Sequence, residues 1–124
     1  MLFSETIYIK IQRNSITVRN VNSKLEASGI GIFSTARLLV GTFSEAERLI
    51  KELRSQVAPK SFFRAAHVAV VHPGEMIEGG LSQVEERIFA ELALGTGARK
   101  FVVHVGDAIS DDGVLALARS LPRS

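Results

Sequence analysis

The segment Ala66–Val71, Ala-His-Val-Ala-Val-Val, is apolar at nearly every position. A strand that alternates hides one face, whereas a strand without alternation has to be covered on both. This run therefore demands a sheet with structure packed above and below it, and the rest of a 124-residue chain must supply those layers. The flanking patterns supply them. Upstream, Ala46, Leu49, Ile50, Leu53 and Val57 form one apolar stripe at helical spacing, behind a Ser44–Glu47 capping-box signal and before Pro59. Downstream, Ser82 and Glu85 repeat the box ahead of a helix with Leu81, Val84, Ile88, Phe89 and Leu92 on its apolar face; Gly95 and Gly97 end it.

The N-terminal part has a different period. Ile7, Ile9 and Ile11 alternate with Tyr8, Lys10 and Gln12; after the turn Arg13-Asn14-Ser15, Ile16 and Val18 alternate with Thr17 and Arg19. Two antiparallel strands are expected, followed by a polar turn, a short strand around Gly29–Phe33 and an extended piece at Arg37–Val40. Phe101–Val105 reads as a second buried strand, with a last helix capped by Asp111 or Asp112 and bearing Val114, Leu115, Ala118 and Leu121. A strand–helix–strand order implies parallel, right-handed connection. The expected class is α/β: a mixed sheet with antiparallel N-terminal strands and then parallel strand–helix–strand units, in one domain spanning residues 1–124.

Composition narrows the function. Fifteen basic and 13 acidic residues give a net charge of +2, and the basic residues are scattered along the chain. With one tyrosine and no tryptophan, the stacking platform of a nucleic-acid binder is missing, so no nucleic-acid partner is expected. The absence of cysteine excludes disulfides, thiol nucleophiles and cysteine metal sites. The start shows no signal peptide, and no run approaches the roughly 20 apolar residues of a membrane span, so a cytoplasmic location is expected.

Three stretches resemble a known family. Val84-Glu85-Glu86-Arg87 and Leu94-Gly95-Thr96-Gly97-Ala98-Arg99, within Leu81–Val105, are similar to the helix and turn of the rod-shape-determining MreB family of bacterial actins. Leu39–Ala46 and Val68–Gly74 are similar to two further strand and loop segments of that family, in the same order, with a gap after about Thr35. The resemblance implies a ribonuclease-H-like, actin-like ATPase subdomain, the first large subdomain only. It implies equally where the chain departs. The family's first hairpin carries an acid that organises a metal and glycine that admits phosphates. The corresponding positions here are Lys10, Ile11, Gln12 and Arg13. A lysine cannot hold a cation, and a glutamine side chain obstructs the backbone's approach. The family's Glu-Pro is replaced by Gly106-Asp107, and the second lobe has no counterpart. The expectation is a degenerate lobe: no enzyme, no cofactor, and a scaffold or interaction role through self-association or a protein partner, by resemblance a cytoskeletal or cell-shape one.

A second function class stays open beside it. His72, Gly74, Glu75, Gly106 and Asp107 fall at strand ends, where α/β folds place ligands, and would serve a small-molecule or nucleotide site. His67, His72 and His104 lack carboxylates at ligand spacing, so no metal site is expected. Gly29-Ile30-Gly31 and Gly79-Gly80 lack the phosphate-loop pattern, and Asp107, Asp111 and Asp112 lack calcium-loop spacing. Ser34-Thr35 and Ser82 show no base partner. Mean hydropathy is +0.19, and the first strands together with the helix face of Leu49, Leu53 and Val57 are the candidate association surfaces.

Overall fold

A computed structural model describes residues 5–58 and 67–121. Strands β1 (Glu5–Gln12), β2 (Ser15–Asn20) and β3 (Glu26–Ile30) are followed by helix α1 (Phe43–Val57), β4 (His67–Pro73), α2 (Gln83–Gly95), β5 (Lys100–Val103) and α3 (Asp111–Arg119). The sheet order is β3-β2-β1-β4-β5. β1–β2 and β2–β3 are antiparallel, while β1–β4 and β4–β5 are parallel. This is the mixed sheet expected from the change of period along the sequence.

Alternation decides which side chains face which layer. Ile7, Ile9, Ile11, Ile16, Val18, Ala69 and Val71 point to one face, where α1 and α2 cover them with Leu49, Ile50, Leu53, Phe89 and Leu92. Each Val, Ile, Leu or Phe side chain among them contributes about 1.5–3 kcal/mol by leaving water. Tyr8, Val70 and Val102 point the other way, under Val114 and Leu117 of α3. β4 is buried at every position, because it lies inside the sheet between β1 and β5 with α2 on one face and α3 on the other. β3 is an edge strand, and Gly29 within it has a packing reason. A Cβ there would come within 2.8 Å of Leu49 Cδ1, so glycine lets α1 lie on the strand with the Leu49 side chain in its present place.

Several sequence expectations are corrected. The Ser44–Glu47 capping box does not form. The helix starts at Phe43 behind Thr42, since the amides of Gly41 and Thr42 are held by the Phe33 carbonyl (2.8 and 2.9 Å), and Ser44 is already inside the first turn. β3 ends at Ile30 instead of running to Phe33, and Arg37–Val40 is irregular. Val84 is 64% exposed and outside the apolar face of α2, whose Ser82–Glu85 capping box is complete. β5 is a partly buried edge strand ending at Val103. α3 is capped by Ser110, which accepts from Gly113 N at 3.1 Å. The α1 face offered as an association surface is core: Leu49, Leu53 and Val57 are all buried. Pro59 and Ala66 lie outside the described residues.

Candidate functional site

β1 and β4 run side by side, Lys10 opposite His72 and Ile11 opposite Pro73, so their C-terminal ends and the first hairpin form one rim. Gly74 N continues the ladder to the Ile11 carbonyl at 2.8 Å. This aims Glu75 at the hairpin turn, where its Oε2 accepts from Arg13 N at 2.7 Å. The next turn amide, Asn14 N, donates to Ser34 Oγ at 3.0 Å. Asn14 has φ +53, a left-handed conformation that asparagine tolerates, and its Oδ1 accepts from Phe33 N (3.1 Å) and Ser34 N (2.8 Å). Both amides of the turn therefore have acceptors from the chain itself, one of them the Glu75 side-chain carboxyl oxygen.

Deeper on the rim, His72 bridges two strands. Its Nε2 lies 3.0 Å from the Gly106 carbonyl, which only accepts, so Nε2 carries the proton. Nδ1 then accepts from the Tyr8 hydroxyl at 2.6 Å. Burial, and secondarily His104 and Lys10, hold this imidazole below the ordinary histidine range, outweighing the Gly106 bond; burial likewise raises the Tyr8 hydroxyl. The His104 ring meets His72 edge-on at 4.6 Å between centroids and donates from Nε2 to the Asp107 carbonyl at 3.0 Å. Among the residues named from sequence, His72 and Gly106 are thus joined directly. Asp107 takes part through its backbone, and Gly74 and Glu75 belong to the hairpin cluster. With both ring nitrogens engaged, His72 fastens the 104–107 segment to β4.

His67 is at the other end of β4, remote from this pair. Its Nε2 is 3.2 Å from Thr96 Oγ1, whose own hydrogen goes to the Ala93 carbonyl at 2.6 Å. Arg54 donates to the Thr96 carbonyl, placing a cation at the C-terminus of α2. Burial first, and the Arg54 charge second, push His67 down to about 4. Among the described residues no group of three or more His, Asp or Glu side chains is arranged to hold a metal ion. No helix of the described residues is long and apolar enough to cross a membrane.

Sequence reasoning missed three tie points. Asn20 is buried and donates from Nδ2 to the Val57 carbonyl and to Glu5 Oε2 (3.2 Å each), while Oδ1 accepts from Asn22 N and Ser23 N. Asn14 was visible as a turn residue, its reach to residues 33–34 was not. Asp111, expected as a cap, pairs with Arg19 through two bonds of 2.9 Å and with Lys24 at 2.8 Å, which hold its carboxyl well below the usual range.

No family model matches the chain. An uncharacterized protein of Escherichia coli (strain K12), YjaA, is 43% identical over 122 residues, which cover 91% of this chain and 96% of that one. Among solved structures, the ethanolamine utilization protein EutJ from Carboxydothermus hydrogenoformans superposes with a TM-score of 0.55 at 13% identity, over 85% of this chain. The chain spans 38% of the EutJ chain, and the likeness is one of fold: the actin-like ATPase fold expected above. Neither comparison carries anything specific to rod-shape determination. By identity and by coverage of both sequences, the chain belongs to the family of YjaA.

Proposed function

We propose that this chain is a non-catalytic interaction protein built on an actin-like lobe, acting by surface contact with a second copy or a protein partner and not by hydrolysing nucleotide. The observation that carries this is the self-capped hairpin. In an actin-like phosphate loop the turn amides are turned to an anionic ligand; here Glu75 and Ser34 accept from Arg13 N and Asn14 N. A phosphate arriving there would meet a carboxylate already in place, and Lys10 offers no oxygen to a metal. The interaction side of the reading rests on the β3 edge. Leu25 before β3, Ile30 at its end and Ile32 just beyond it are 54%, 83% and 82% exposed, large apolar side chains left in water along this edge. A cytoskeletal or cell-shape partner is what the resemblance of residues 81–105 points to.

Calorimetric titration with magnesium–ATP, paired with light scattering on a size-exclusion column, tests both halves. The expected results are no saturable heat at millimolar ATP and a mass that rises with protein concentration. Ile30→Lys with Ile32→Lys returns it to the monomer. Micromolar ATP binding, or phosphate release on incubation, would overturn the reading.

A further inference from the structure

A groove of about 480 Å³ lies on the sheet face away from α1 and α2, between β1–β3 and the segment that leads into α3. Its size is that of a small-molecule site. Its wall is divided: Lys10, Gln12 and Thr17 line one side, Ala108, Ile109 and Val114 the other. From this division we propose that the groove binds a small monoanion, a carboxylate with a short apolar tail, seated on the Lys10 ammonium.

The charge balance selects the ligand. Arg19, Glu26 and Asp111 also line the groove, but they satisfy one another: Arg19 contacts Glu26 at 3.5 Å and Asp111 at 2.9 Å, and Lys24 closes the set on Asp111. Among the described residues no carboxylate lies within ion-pair distance of Lys10. One cation is left over, so one negative charge is wanted. A dianion would be repelled by Glu26 and Asp111 on the same walls, which argues against phosphate.

The donors converge by strand geometry. Lys10 and Gln12 share a face of β1, and Thr17 is the register partner of Lys10 on β2. The Thr17 and Ser28 hydroxyls are 2.7 Å apart, and only one of their two hydrogens is used between them. The ammonium, the Gln12 amide and a hydroxyl hydrogen can thus address the two oxygens of a carboxylate, with charge-assisted bonds to the ammonium. Ile109 and Val114 then receive the tail. The site is distinct from the hairpin amides, and its outcome is independent of the ATP experiment.

The test is a ¹H–¹⁵N NMR titration of the full chain with sodium butyrate, against sodium chloride at matched ionic strength and inorganic phosphate at pH 7.5. Saturable shifts at Lys10, Gln12, Thr17 and Ile109 are expected, with a Kd in the millimolar range typical of so small a ligand. Lys10→Met should weaken binding about tenfold or more, whereas Lys10→Arg stays within about threefold, since charge is the requirement. Lys10→Gln, also uncharged and polar, should behave as Lys10→Met does, and Glu75→Gln should leave butyrate affinity unchanged. Linear shifts, shifts confined to other residues, unchanged affinity in both uncharged variants, or phosphate binding tighter than butyrate would each overturn the proposal.

Discussion

Protonation of His67 should make this protein acid-labile well above the range where carboxylates titrate. The imidazole is 1% exposed and donates from Nε2 to a threonine oxygen whose own hydrogen is committed elsewhere. A second proton would place a positive charge in the core beside Arg54. Folded His67 titrates at about 4 against 6.5 when exposed. The unfolded chain therefore binds more protons between those values, and stability falls as pH drops through 6.5 toward 4. One unit is worth about 1.4 kcal/mol, so the loss amounts to about 2 kcal/mol between pH 7 and pH 5, approaching about 3 kcal/mol below pH 4. In urea this moves the midpoint by about 1 M for a slope of about 2 kcal/mol per molar. Unfolding followed by circular dichroism at pH 7 and pH 5, in wild type and His67→Leu, isolates the effect, because His72 shifts in the same direction in both proteins. The variant should lose most of the difference between the two pH values. An identical drop in both would refute the reasoning, as would a His67 ring resonance that titrates near 6.5.

Two further substitutions probe the tie points. Asn20→Ala removes the amide that joins the end of β2 to the last carbonyl of α1, leaving the Val57 carbonyl without this donor; a loss of about 2–3 kcal/mol in urea unfolding is expected, and a change below about 0.5 kcal/mol would exclude the role. Asp111→Ala removes the shared partner of Arg19 and Lys24, leaving Arg19 only its longer contact with Glu26, and unfastens the start of α3 from β2. Amide hydrogen exchange in residues 111–119 should quicken while that of β1 and β4 is unchanged, and added salt should produce the same selective loss in wild type. Equal protection of α3 in both proteins would show that the pair does not hold the helix.

The sheet was legible because its signals are local. Ile7, Ile9 and Ile11 declare a half-covered strand by period alone, and the run through Val71 declares a fully covered one. The apolar stripe of α1 was equally plain, but its start was not. The Ser44 signal was overridden by the Phe33 carbonyl, a contact between segments that no local pattern announces. The same stripe was also offered as an association surface, which failed because a period reveals that a face is apolar and not what covers it. At the rim, chain position named His72 and Gly106 as strand-end residues, and the structure joins the two by a hydrogen bond. Chain position gave no hint that Glu75 turns away to Arg13, 62 residues back in the sequence, or that the Tyr8 hydroxyl completes the His72 bridge. Those pairings depend on strand register, which only the folded chain fixes.

The glycine that lets α1 rest on β3 has an effect beyond packing. An outer strand with free amides invites identical molecules to stack on it, and hydrophobic isoleucines nearby would ordinarily strengthen the invitation. Gly29 interrupts that stretch with a residue depleted in extended strands, which makes the main chain of β3 a weaker template for fibre growth. The packing of one helix thus places, in the outer strand, the residue least favourable to amyloid-like stacking.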